Sequence, residues 1–185
     1  MDLDKCIKAR CSCKNFKTKK PDYRKIIDAL DLARLAPFAG NIQTIKFILV
    51  QDKNKIKQLA NACQQSFVGT VHYIVVVTSD SKMIKKSFEE RSNKYCRQQA
   101  GAVIQNFLLK LEDLGLASCW IGHFVDDQVK RILEIPEDVE VEALFPIGYA
   151  MKKGKQRRKQ DLDKSLFFDK YKNKFMRPKD SPEGF

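Results

Sequence analysis

Long apolar runs are missing from this 185-residue sequence: no stretch approaches the ~20 consecutive apolar residues that a membrane span requires. The opening MDLDKCIKAR carries acidic residues and no hydrophobic segment, so it does not read as a secretory signal. Histidine is scarce, with only His72 and His123, and no C-x-x-C occurs. Cys11-x-Cys13 alone is a poor match to a zinc site, and no metal is expected. The six cysteines are spread over a chain large enough to fold without staples. They read as reduced thiols in a cytoplasmic protein. G-x-G-x-x-G and G-x-x-x-x-G-K-[ST] are both absent, which argues against a dinucleotide Rossmann site and a P-loop. No nucleophile elbow, internal repeat or low-complexity linker is found.

A hydrophobic fraction of 43% is enough for a sizeable core and excludes wholesale disorder. The length suits a single domain. Lys and Arg number 35 against 23 Asp and Glu, a net charge of +12. That excess favours anionic partners, and taken alone it does not choose among nucleic acid, an acidic membrane, a phosphorylated ligand or an acidic protein.

Periodicity predicts alternating helices and strands. A short helix over 2–9 precedes the basic stretch RCSCKNFKTKKPD, and Asp22 caps a helix with Tyr23, Ile26, Ile27, Leu30 and Ala33 on one face. Pro37 is expected to end that helix, since proline disfavours helical geometry in the residue before it. Strands are predicted at 45–50, 73–77, 117–122 and 141–150, and helices at 53–65, in the low 80s and at 126–133. YIVVV (73–77) should be buried on both faces. The strongest helix runs over 94–114, where Ala100, Val103, Phe107, Leu111 and Leu114 form a stripe widened by Ile104 and Leu108. Gly115 is its expected left-handed stop. The pattern predicts an α/β or α+β sheet with helices on its faces.

Three segments carry candidate chemistry. In Arg10-Cys11-Ser12-Cys13-Lys14 the first, third and fifth residues project to one side if the segment is extended, giving donors suited to a phosphate. A solvated basic loop would look the same. Ala36-Pro-Phe-Ala-Gly-Asn-Ile-Gln43 joins a helix to a strand, which turn residues also do in ordinary connections. In Gly115–Gly122 a run of small residues ends at Trp-Ile-Gly, and Gly122 permits close approach of a ligand or serves a simple turn.

RCSCKNF, APFAGNIQ, the Gln-Asn of GAVIQNFLL, GLASCWIG and FPIGYA with a basic stretch after it follow one another in an order that resembles the nitroreductase-like flavoproteins. The resemblance spans residues 4–162. It implies an α+β three-layer fold with a central, mostly antiparallel sheet flanked by helices, and a C-terminal arm that reaches the partner subunit. Residues 1–163 would form the FMN-binding domain and 164–185 the extension packed on that partner.

Carried over residue by residue, the resemblance implies that Arg10, Ser12 and Lys14 grip FMN, with Cys11 contributing backbone. Lys14 would hold positive charge near the flavin pyrimidine edge, where it stabilises the reduced cofactor. Pro37, Phe38 and Ala39 would approach FMN from the partner subunit, with Asn41 and Gln43 ordering that loop. Phe38 replaces the usual serine; it removes a hydroxyl and adds a ring expected to narrow the substrate side. Trp120, Ile121 and Gly122 would lie along the flavin face, and Arg158, one position from Arg157, would close over the phosphate.

The function so implied is an FMN-dependent oxidoreductase. It passes two electrons by a ping-pong route from NAD(P)H to a nitroaromatic, a quinone or a similar small electrophile. It would be a cytoplasmic homodimer, and the flavin would do the redox chemistry without a protein nucleophile. Two alternatives are a flavin-binding protein of this fold with a specialised role outside nitroreduction and a basic nucleic-acid-binding module. The second draws only on net charge and KKGKQRRK (152–159) and lacks any helix-turn-helix, zinc-finger or RNA-binding signature.

Overall fold

The computed structural model describes residues 1–152 and 154–176. Three local choices set helix starts. Asp2 caps α1 (Leu3–Ala9), Asp22 caps α2 (Tyr23–Ala33) and Asp52 caps α3 (Lys53–Ala62), each carboxylate accepting from a first-turn amide. Beyond α4 (Lys82–Phe88) and a one-turn 3-10 segment lies α5 (Ser92–Asp113), and Gly115 follows it with φ of 72°. That is the left-handed stop expected from the sequence.

Strands β1 (Ile45–Val50), β2 (Tyr73–Asp80), β3 (Ala117–Ser118) and β4 (Val139–Gly148) form an antiparallel sheet in the order β1-β2-β4-β3. Helix α6 (Asp126–Leu133) lies between β3 and β4 in sequence. β2 is central, and its alternation separates two cores. Tyr73, Val75 and Val77 face α2 and α5, whereas Ile74 and Val76 face α3 and α6. Helix–sheet–helix layering is the α+β three-layer architecture implied by the motifs, here as one antiparallel sheet.

Several boundaries differ from the periodicity reading. α3 stops at Ala62, three residues early, because Gln64 turns left-handed (φ 53°) and the Val125 amide takes the Ala62 carbonyl at 3.0 Å. In α2, Ile26, Ala29 and Ala33 are buried, but Tyr23 and Ile27 stay exposed. The apolar stripe is wider than the face that α5 covers.

The expected strand over 117–122 is interrupted after Ser118. Cys119 would next oppose Pro146, which has no amide hydrogen to donate to the ladder. Ser118 Oγ donates to the Pro146 carbonyl instead (2.9 Å), and pairing resumes only at Ile121–Leu144. Cys119 and Trp120 are left outside the ladder. The chain beyond Met151 has no strand or α-helix among the described residues. The last nine residues of the expected extension 164–185 lie outside the described residues, as does Lys153 of the basic stretch.

Candidate active site

Residues 10–17 build one wall of the site by lying along the β3 edge. Ser12 bridges to Ser118 in parallel, and the Cys13 amide donates to the Ser118 carbonyl at 2.9 Å. Farther on, the Lys17 amide donates to Tyr149 (2.7 Å), the Met151 amide donates to Asn15 (2.9 Å), and Phe16 bridges to Ala150. Two glycines permit this approach. A Cβ on Gly148 would stand 2.8 Å from the Phe16 ring, and one on Gly154 would stand 2.5 Å from Cys11 Sγ. Gly148 is the glycine of FPIGYA, so its place in that motif has a steric cause.

Arg10, Ser12 and Lys14 line a single groove of about 730 Å³, and so do Cys11 and Asn15 of the same strip. The segment Cys119–Gly122 forms its other wall, and Lys155, Arg157 and Lys159 approach from the chain after β4. The Trp120 ring packs on core Phe145 with centroids 5.9 Å apart, yet remains 43% exposed toward solvent. A Cβ on Gly122 would meet only the indole nitrogen at 3.9 Å. The protein's own packing therefore does not require glycine there; its small size keeps the groove wall low.

The groove is strongly cationic. Five basic residues line it, no Asp or Glu does, and none of the five forms an ion pair among the described residues. Lys14 Nζ rests over the Phe67 ring at 5.6 Å. Arg158 takes a different course: its guanidinium pairs with Asp161 at 3.3 Å on the surface. Lys155, Gln156, Arg157 and Lys159 line the groove, whereas Arg158 does not.

Burial disfavours the thiolate at two cysteines of this region, Cys13 and Cys119. Burial pushes the Cys119 thiol up, only partly opposed by Lys14, a Ser12 hydrogen bond and Arg10. Burial also raises Cys13, opposed by its contact with the Asn15 carbonyl (3.2 Å). Protonated thiols are weak nucleophiles and weak ligands.

Pro37, Phe38, Ala39, Asn41 and Gln43 do not line this groove in a single chain. Phe38 is half-buried against the α2–α5 core, so its ring packs inward. The loop is shaped by consecutive left-handed residues Gly40 (φ 58°) and Asn41 (φ 55°). Sequence reasoning passed over Gln65, His123, Lys155, Gln156 and Lys159, all of which line the groove. The basic stretch KQRRK (155–159) was the available signal; Gln65 carried none.

Comparison with known proteins matches this arrangement to a family. A model of the nitroreductase family matches residues 7–70 and 61–149. A protein of Archaeoglobus fulgidus named for NADH dehydrogenase/NAD(P)H nitroreductase activity is 27% identical over 155 residues, covering 80% of this chain and 86% of that one. The iodotyrosine deiodinase of Thermotoga neapolitana is 27% identical over 160 residues, covering 77% and 85%. Among solved structures, an FMN-dependent nitroreductase of Clostridium difficile superposes with a TM-score of 0.76 at 26% identity, covering 90% of this chain and 98% of that one. With the family match spanning the 10–17 wall, the sheet and the Trp120–Gly122 wall, the chain belongs to the nitroreductase family and is an oxidoreductase enzyme.

Proposed function

We propose that the protein is an FMN-dependent NAD(P)H oxidoreductase that works by ping-pong two-electron transfer to a nitroaromatic, a quinone or a similar small electrophile. The observation that carries this reading is the groove: Arg10, Lys14 and Arg157, none ion-paired among the described residues, stand beside Ser12 and face the low wall at Gly122. That donor set fits a planar ligand bearing a phosphate. Arg10, Ser12 and Arg157 hold the phosphate and its chain, in charge-assisted hydrogen bonds. Arg157 takes the role that the motif alone suggested for Arg158, since Arg158 is engaged with Asp161.

Lys14 sets positive charge at the pyrimidine edge, which favours the reduced cofactor. Trp120–Gly122 covers one face and presents a backbone amide. When bound, FMN supplies the redox chemistry, taking hydride from NAD(P)H and yielding it to the acceptor. The protein's share is binding, orientation and charge. We assign the working form to a cytoplasmic homodimer in which Pro37–Ala39, together with Asn41 and Gln43, completes the partner's site and residues 164–185 pack across the interface.

A second reading has one specific support, the similarity to the Thermotoga deiodinase: reduction of a halogenated aromatic at the same groove. Purified protein tests the main reading by its absorption, with flavin bands expected near ~370 and ~450 nm. NADPH or NADH should bleach them, and a nitroaromatic or quinone should restore them. Protein that takes up no FMN defeats the assignment, and restoration by an iodinated phenol alone selects the second reading.

A further inference from the structure

Buried polar side chains are few among the described residues, and four of them, Thr44, Thr78, Ser79 and Gln99, lie at the end of the sheet where β1 begins and β2 finishes. Thr44 Oγ1 donates to Gln99 Oε1 at 2.7 Å, Thr78 Oγ1 to the Lys46 carbonyl at 3.5 Å and Ser79 Oγ to Glu142 at 2.6 Å. The Gln99 amide nitrogen has no partner within the protein, and no other buried side-chain nitrogen or oxygen among the described residues shares that condition. Gln99 is 4% exposed and Thr44 2%. Turning the amide over would leave its oxygen unpaired instead. Leucine would fill similar space without stranding a polar atom, so glutamine at this position costs the fold stability. Costs of that kind collect where a residue serves function.

Thr44 is where the loop 37–43 becomes β1. Within the loop the Asn41 amide donates to Phe38 (3.0 Å) and the Ile42 amide to Ala39 (3.1 Å). The loop meets the body at three points. Phe38 packs on the α2–α5 core, and Gly40 lies against Phe88, whose ring would be 3.2 Å from a Cβ there. Those two contacts are apolar and set no direction. The third is Thr44, whose carbonyl accepts from the Asp80 amide at 2.9 Å while Gln99 of α5 holds its hydroxyl. Among the described residues this is the only side-chain hydrogen bond made by 36–44, and its directionality fixes the end of the loop. We propose that Gln99 is a positioning residue: by gripping Thr44 it fixes how the loop 37–43 joins β1, and so sets how tightly the finished site holds FMN. This rests on the function proposed above, in which that loop completes the partner's site. It adds a residue that lies outside the motifs and outside the groove.

The test separates stability from cofactor affinity. The double variant Thr44→Val/Gln99→Leu replaces both partners by apolar groups of similar shape. Its full chain, freed of FMN, should melt within about 2 °C of the unmodified protein or above it. Its dissociation constant for FMN, read from the fluorescence of flavin released on dilution, should rise about tenfold, roughly 1.4 kcal/mol. Thr44→Val alone should lose about as much affinity, because both changes break one bond and their effects do not add. Gln99→Glu keeps an oxygen for Thr44 and should hold FMN within about threefold of the unmodified protein.

Unchanged FMN affinity in the double variant or in Thr44→Val overturns the assignment. So does a melting temperature that falls in step with affinity, the mark of a pair that serves the fold alone. A Gln99→Glu protein that loses as much FMN as the double variant also overturns it, since the bond to Thr44 would then not be what matters. Should the double variant fail to fold, Thr44→Val and Gln99→Glu carry the same decision. Unmodified protein without flavin absorbance near ~450 nm defeats this inference together with the function proposed above. Loaded protein that is indifferent to these substitutions defeats this inference alone.

Discussion

Arg10 and Arg157 enter the groove from segments far apart in sequence, and neither has a carboxylate partner among the described residues. Each is free to serve a phosphate. Arg10→Ala should weaken FMN by about 1.5–3 kcal/mol, the range for a hydrogen bond to a charged group. Fluorescence titration of apoprotein checks this, and unchanged affinity in a folded variant removes Arg10 from the site. In the same assay Arg157→Ala should cost more than Arg158→Ala, since Arg158 is committed to Asp161. The reverse order would restore Arg158 as the phosphate arginine. The cysteines lead to a different expectation. With Cys13 and Cys119 both shifted upward by burial, replacing Cys11 and Cys13 together by serine should leave more than about a tenth of kcat, a change under ~1.4 kcal/mol. Loss of turnover with FMN still bound would point to thiol chemistry.

The extended segment 10–17 is an element in its own right, a strand-like strip held to β3 and to the chain after β4 by a few backbone hydrogen bonds. Its seat depends on Gly148. Gly148→Ala would drive a methyl group into the Phe16 ring, now 2.8 Å from the Cβ position, and should destabilise the protein by about 1–3 kcal/mol. Chemical denaturation gives the magnitude. A neutral result would mean that Phe16 has room to move. At the end of α5, Lys110 Nζ bonds Asp113 at 2.6 Å and the Met1 amino group pairs with the same carboxylate, tying α1 to α5. Chiefly through Lys110, the Asp113 carboxyl falls from 3.8 to about 2. Its folded value lies below its unfolded one, so the stabilisation is complete above pH 3.8 and is lost as pH falls toward 2. Asp113→Asn should therefore flatten the acid limb of a stability–pH curve between those values, and also the fall on the basic side above about pH 8, because the same carboxylate raises the Met1 amino group. An unchanged acid limb would show that the pairing has no thermodynamic weight.

Whole-chain geometry leaves several large apolar residues uncovered: Tyr23, Ile27 and Leu35 around α2, and Leu162, Leu166, Tyr171, Phe175 and Met176 in the tail. The tail closes only small contacts of its own, such as the Phe168 amide donating to the Asn173 carbonyl at 2.9 Å and Lys174 over the Phe167 ring at 4.3 Å. Apolar surface of this kind usually marks an interaction site. A homodimer would cover it with an interface of about 2,000 Å² or more. Deleting residues 164–185 should weaken both dimerisation and FMN retention, read by sedimentation and by flavin absorbance. A truncated protein that stays dimeric and keeps flavin at sub-micromolar concentration would remove the tail's role. An FMN-bound monomer of the full chain would overturn the shared site.

Local chemistry was legible in the amino-acid order wherever it acts over a few residues. Asp22 announced its helix, Gly115 announced the end of α5, and the continuous apolar run 73–77 announced the central strand, because caps, left-handed turns and burial on both faces each leave a short-range mark. What depended on distant partners was not legible. The missing amide of Pro146 breaks a ladder 28 residues away at Ser118, a consequence that appears only once β4 lies beside β3. That Arg157 lines the groove and Arg158 does not depends on how the chain after β4 lies against the body. Phe38 packs inward because the α2–α5 core offers its ring a place, a fact held by no neighbour in sequence. Side-chain direction in an irregular segment is set by what folds against it, and that contact is made only by the tertiary structure.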